Sequence, residues 1–325
     1  MCVGGGRRGA PTRSVSGWPV TCSPLDRGNS MTTVTKAVYV NFTAARDADR
    51  MNRLSSLVQR TELNSLVIDV RSDGGALLHE DDETTRDQLG ALRGAGMYLI
   101  ARVVAFKGGP RGWYDPGSEA RWREIAEISL RAFEAGFDEV NYDYVRYGAA
   151  REPRSRTPIG ERAPTIRAFF EFLRAEVGDA ASRPISADLF GITLLGPQDG
   201  VGQRLEDAVA LFDYVMPMPY PSHWEPGSFG LANPAHHPYE TLHASLLAGW
   251  RRVAALPGRT ALLRSWIQAF NLDSSRPMRR YRYTPWHIQE QIRAIEDAGC
   301  AGYAAWNPRS EYEERAFAAE PWGTG

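Results

Sequence analysis

From Lys36 onward the chain alternates, eight times over, between a short β-branched or apolar run and a longer segment of helical periodicity. The runs are KAVYVNF (36–42), SLVIDVR (65–71), YLIARVVAF (98–106), EVNYDYV (139–145), PISADLF (184–190), YVMPMPY (214–220), TALLRSWIQ (260–268) and GYAAWNP (302–308). In the intervening segments, such as RMNRLSSLVQR, EARWREIAEISLRAFEAG and PWHIQEQIRAIEDAG, apolar residues recur every three or four positions. That spacing paints one face of a helix. Strands that are apolar almost throughout suit a parallel sheet whose faces are covered by helices. Eight of them, each followed by a helix, is the count that closes a barrel, so the expected fold is α/β, a single (β/α)8 TIM barrel. The competing open, doubly wound sheet usually carries a GxGxxG or GxxxxGK[ST] turn after an early strand. Neither follows an early strand here. Helix C-caps are expected at Gly96, Gly136, Gly178 and Gly299, where glycine accepts the left-handed conformation without a Cβ penalty.

Ahead of this pattern, residues 1–33 are rich in Gly, Arg, Ser, Thr and Pro and hold no apolar run of signal-peptide or membrane-span length. The segment is expected to be a disordered extension, with Met31 as the natural initiator and 34–325 as the barrel domain. A cytoplasmic location is expected. Lys and Arg are spread along a chain of net charge −1, which leaves no electrostatic footprint for nucleic acid or an anionic membrane. Of three cysteines, only Cys300 lies in patterned sequence, and it is expected to be buried and inert. No Cys/His spacing indicates a metal, and no cofactor is expected. The pair His236–His237 lies in a Pro-rich loop without further ligands.

A barrel does its chemistry at the C-terminal strand ends. Those ends carry Asn41, then Asp69 and Arg71, then Arg102. Asn141, Asp143 and Arg146 follow on the fourth strand and Asp188 on the fifth; Tyr220 and His223 lie beyond the sixth. Arg264 and Trp266 lie on the seventh, and Trp306 and Glu311 on or beyond the eighth. A strand of Val and Ile that stops at a carboxylate is informative, because burying an ionised carboxylate costs several kcal/mol unless it is paired or catalytic. Asp69, Asp143 and Asp188 share this pattern. For Asp69 and Arg71 a salt-bridge network closing the barrel mouth explains the placement equally well.

The stretch AGFDEVNYDYVRY (135–147), with YLIARVVAFKG (98–108) and WYDPGSEARWREIA (113–126) before it, resembles a bacterial glycoside hydrolase family of the TIM-barrel glycosidase clan. LNSLVIDVRSDGG (63–75), DYVMPMPYPSHW (213–224) and AGYAAWNP (301–308) fit the same family in the same order. The resemblance places Asp143 where retaining α-glycosidases of the melibiase and amylase type carry a nucleophile or key carboxylate. The fourth strand is also similar to the chitinase pattern, but Asn141 replaces one of its aspartates and Val145 stands in place of its glutamate.

Glycoside hydrolysis needs two carboxyl groups about the scissile bond. Asp143 is assigned as nucleophile or stabilising carboxylate and Asp188 as acid/base, with Glu311 and Asp69 in reserve. Arg102 and Arg146 would hold Asp143 ionised. Tyr220, His223, Trp266 and Trp306 would line the sugar site, with Asn41, Asp69, Arg71, Asn141 and Glu311 as further contacts. Bland readings stand beside these: Asp188 as a helix cap or arginine partner, and His223 as a turn residue. The expected partner is a carbohydrate, and the competing function is a carbohydrate-binding barrel without turnover. A metal-dependent barrel hydrolase would need His-rich strand ends, which are missing.

Overall fold

The computed structural model describes residues 34–75, 78, 83–108, 112–149, 156–258, 261–272 and 281–318; the expectations for 1–33 and Met31 lie outside them. Among the described residues nine strands form: β1 (Thr35–Val40), β2 (Ser65–Arg71), β3 (Tyr98–Val104), β4 (Glu139–Asp143), β5 (Ile185–Phe190), β6 (Tyr214–Met218), β7 (Leu262–Leu263), β8 (Ser265–Gln268) and β9 (Gly302–Trp306). All paired neighbours are parallel, in the order β7-β6-β5-β4-β3-β2-β1-β9-β8. The two ends of that order are consecutive in the chain, separated by Arg264 alone. The ring is therefore the expected (β/α)8 barrel, with its seventh strand in two pieces. β7 pairs with β6 and β8 with β9, so the hand-over between neighbours falls at Arg264.

The helices are α1 (Phe42–Ala45), α2 (Ala48–Arg60), α3 (Glu83–Gly94), α4 (Glu119–Ala135), α5 (Ile159–Leu173), α6 (Leu205–Leu211), α7 (Pro238–Val253) and α8 (Pro285–Asp297). Gly96, Gly136 and Gly299 take the expected left-handed conformation. Gly178 does not cap: α5 runs on into a π-helical turn, Arg174–Asp179, which contains it, and the left-handed residue beyond is Ser182. Among the described residues no helix is long and apolar enough to cross a membrane. Cys300 is half-buried against the core rather than fully buried, and burial pushes its thiol up to about 12, so it carries no reactive thiolate near neutral pH.

Strand alternation sorts the side chains into two cores. Val38, Ile68, Leu99, Ala101, Tyr142, Ala187 and Val215 face outward into the shell shared with the helices. Ala37, Tyr39, Val67, Ile100, Met216, Trp266 and Ala304 form a separate cluster inside the ring. Each large apolar side chain so buried contributes about 1.5–3 kcal/mol. The inward positions left over are polar, and they stack in layers up the barrel axis.

Candidate active site

Inward-facing residues of β4 are Glu139, Asn141 and Asp143, two apart and all buried. The register pairs Arg102 with both Asp69 and Asn141 across β2, β3 and β4. It also pairs Tyr142 with Ala187, so Asp143 and Asp188 lie one residue further along neighbouring strands. Adjacent strands run about 4.8 Å apart, which sets the two aspartates side by side.

Arg102 organises the upper layer. Its guanidinium donates to Asp69 Oδ1 at 2.6 Å and, through its other terminal nitrogen, to Asp143 Oδ2. Burial alone would drive the guanidinium toward neutrality, but Asp69 and Asp143 overcome it and hold Arg102 firmly charged. The Tyr39 hydroxyl completes Asp69 at 2.6 Å. Above Arg102 lie the rings of Tyr39 and Trp306, 5.3 and 5.0 Å from the guanidinium carbon, themselves stacked at 4.0 Å. Asp143 is 8% exposed and accepts the backbone N–H of Tyr144 at 2.5 Å. Tyr144 has φ 53°, a left-handed conformation unusual for a residue with a side chain. Such strain concentrates where a structure holds a residue for function.

Asp188 is built differently. Its Oδ1 accepts from Asn141 Nδ2 at 2.9 Å and from Trp266 Nε1 at 2.7 Å, both neutral donors. Its Oδ2 is buried and has no hydrogen-bond partner among the described residues. Burial first, and the charge of Asp143 second, push its carboxyl well above the usual carboxylate range, against the smaller opposing pull of Arg102. One carboxyl is thus charge-paired and reaches solvent, and burial opposes the ionisation of its neighbour. Gly191, just beyond β5, keeps the β5 and β6 exits together: a Cβ there would lie 2.4 Å from Pro219 Cα. Tyr220, at the β6 exit, packs against His223 and Phe270, and its hydroxyl is pushed up by burial and by the charges of Asp188 and Asp143.

The family model described as "Putative glycosyl hydrolase domain" matches residues 37–112 and 108–312 of this chain. The chain belongs to that family. No curated protein matches in sequence. Among solved structures, the PgaB (BpsB) glycoside hydrolase domain from Bordetella bronchiseptica is 14% identical, with 89% of this chain and 100% of that chain covered and a TM-score of 0.59. A chitinase from Chromobacterium violaceum is 13% identical over 87% and 97% of the two chains, with a TM-score of 0.56. The class V chitinase from Nicotiana tobaccum is 10% identical over 90% and 99%, with a TM-score of 0.57, and a variant of it is known in complex with NAG4. At such identities the likeness shows the fold.

Within the glycosyl hydrolase fold, Asp69, Arg102, Asn141, Asp143, Asp188, Tyr220, Trp266 and Trp306 come together as one cluster. Arg71 ties strand exits, donating to the carbonyls of Val104 and of Lys107, the latter at 3.1 Å. Asn41 caps α1, accepting from Ala44 N at 2.8 Å and donating to Pro308 O at 2.9 Å. The Arg146 guanidinium is stacked among Trp113, Tyr144 and Phe190 and donates to Tyr147 O at 3.0 Å. His223 is exposed at the rim. Glu311 is exposed, pairs with Arg309 at 3.0 Å, and lines a separate cavity. His236 packs on Tyr281, His237 faces Glu240, and no group among the described residues could hold a metal ion.

Two members of the polar interior escaped the strand-end reading. Tyr39 orients Asp69. Glu139, at the opposite end of β4, accepts both Arg264 bonds at 2.9 Å, with Ser186 at 2.6 Å and Tyr98 at 3.1 Å completing it. The signal that finds them is the period of two, which puts residues 37 and 39, and 139, 141 and 143, on one face.

Proposed function

We propose that this protein hydrolyses glycosidic bonds of an oligo- or polysaccharide by a two-carboxyl mechanism centred on Asp143. The observation that carries the proposal is the unlike treatment of two neighbouring carboxyls: Asp143 is paired with a fixed guanidinium, and Asp188 is buried against neutral donors with a raised pKa. Environments that push two acids apart divide the roles between them. Asp188 gives its proton to the glycosidic oxygen as the C1–O bond breaks. The Asp143 carboxylate meets the positive charge that develops at C1, and water then adds its hydroxyl to C1 while its other proton returns to Asp188. Adjacent-strand placement suits the shorter carboxyl separation, about 5–5.5 Å, of enzymes that retain anomeric configuration. Trp306, which is partly exposed, offers a flat face to the sugar ring, and the buried Trp266 orients Asp188 through its indole N–H.

One observation favours a second reading, a carbohydrate-binding barrel without turnover: Asp188 is only 1% exposed. A panel of α- and β-linked polysaccharides decides between them. On this account wild-type protein releases reducing ends from at least one polymer, NMR shows retained configuration, and Asp143→Asn lowers kcat at least about 10⁴-fold while the fold survives. Binding without hydrolysis by wild-type protein would establish the second reading.

A further inference from the structure

Beside the carboxylate cluster, a cavity of about 530 Å³ opens between the chain leaving β8 and the chain leaving β9. Small-ligand sites span roughly 300–1,000 Å³. The cavity adjoins the reaction site through its own wall. Phe270, part of that wall, packs on Tyr220 at 5.4 Å, and Asn307, also in the wall, follows Trp306 directly. The lining mixes flat rings (Phe270, Tyr283, Tyr312) with planar hydrogen-bonding groups (Arg282, Arg309, Glu311). That is the pairing a sugar asks for: its C–H face lies on a ring, and its hydroxyls meet donors and acceptors at the edge. The rings are fixed in advance. Tyr312 donates to Tyr39 O at 2.8 Å and Ala305 O at 3.0 Å, and the Tyr283 backbone N–H donates to Asn271 Oδ1 at 2.8 Å.

A second, independent feature stands at the lip. Helices of this barrel begin on the face where strands end, so the start of α8 lies on the catalytic side. Its second residue, Trp286, is 53% exposed, next to the wall residues Thr284 and Pro285. The edge contact with His287 at 4.8 Å holds its ring in place. Leaving a Trp face in water costs apolar burial that the core would have recovered. The mechanism at Asp143 makes no use of either feature.

We propose that this cavity and Trp286 form a second saccharide-binding site, taking further units of the same polymer whose scissile bond lies at Asp143. The proposal rests on the glycosidase reading. It makes the enzyme a cutter of chains rather than of disaccharides, because remote binding energy is available only to substrates that reach the second site. Glu311 then serves in this outer site and not as an acid beside Asp143.

The test compares kcat/KM on six-unit and two-unit oligosaccharides made from each polysaccharide that the wild-type full chain cleaves. Trp286→Ala and Arg282→Ala alter exposed side chains, and thermal unfolding checks that both fold. Each is expected to lower the six-to-two ratio by about five- to tenfold, through KM on the longer chain, while Trp286→Phe keeps most of it. An unchanged ratio in both alanine variants, with cleavage intact, would overturn the second site and leave the glycosidase reading standing. If the wild-type protein cleaves no member of the panel, the glycosidase reading fails and the second site fails with it.

Discussion

The two ends of the barrel handle buried charge in opposite ways. Where the strands begin, one carboxylate meets one guanidinium: Glu139 takes both Arg264 bonds, Ser186 and Tyr98 complete the carboxylate, and the guanidinium, whose Nε and Nη2 have no hydrogen-bond partner among the described residues, lies over the Tyr214 ring at 3.7 Å. Where the strands end, Arg102 is shared by Asp69 and Asp143, and Asp188 has only neutral donors. A one-to-one buried ion pair is neutral in net charge, and its removal on one side is what costs stability. Three carboxyls around a single guanidinium leave an excess of acid, which is the imbalance that the proposed reaction would use. Asn141 and Ser186 bridge the two layers, at 3.1 Å from one another. One column of alternating residues on β4 thus runs from the Arg264 ion pair to the proposed catalytic carboxylate within five positions.

Breaking the upper layer gives the largest expected effect. Asp188→Asn removes the proton donor, so kcat should fall about 10²–10⁴-fold. Wild-type activity depends on the protonated acid, so it declines as pH rises through the raised pKa of Asp188; the variant should lose that alkaline limb. Stability shifts in the same direction. Between the ordinary carboxylate pKa near 4 and the raised folded value, the native state binds more protons than the unfolded chain. Wild-type stability therefore falls as pH rises across that window, and Asn at this position removes the fall. A kcat/KM profile and urea unfolding at several pH values read both.

Breaking the lower layer should touch stability instead. Arg264→Met strands Glu139 in the barrel floor and is expected to cost about 3–5 kcal/mol in denaturant unfolding, with kcat per folded molecule held. A smaller effect sharpens the boundary of the upper layer. Trp306→Ala removes the ring stacked on Tyr39 and over Arg102, and KM should rise up to about tenfold. Smallest is Asn41→Ala, which loses the α1 cap and is expected to cost about 1 kcal/mol in Tm-derived stability with turnover intact.

The division between layers also marks what could be read from residue order alone. The β2 boundaries Ser65–Arg71 and the eightfold strand count were legible, because apolar runs and helical spacing are local signals. Asp143 and Asp188 were legible because a carboxylate ending a Val/Ile run is costly wherever it points. Partner choice was not. Arg71 and Asn41 stand at strand ends as Arg102 does, yet they turn to backbone carbonyls and a helix cap, and only the register and the loops decide which. Glu139 sits at the start of its strand, outside any reading that looks at strand ends. The split at Arg264 was hidden because TALLRSWIQ reads as one continuous strand, and nothing local shows that its arginine turns inward to Glu139.

The most direct measurement takes Asp143→Asn and Arg264→Met side by side, each followed for reducing-end release on the cleaved polymer and for thermal unfolding. The account predicts that the first variant unfolds near the wild-type temperature and releases no sugar above background, and that the second unfolds well below it yet keeps its turnover while folded. Wild-type rates from Asp143→Asn would contradict the account.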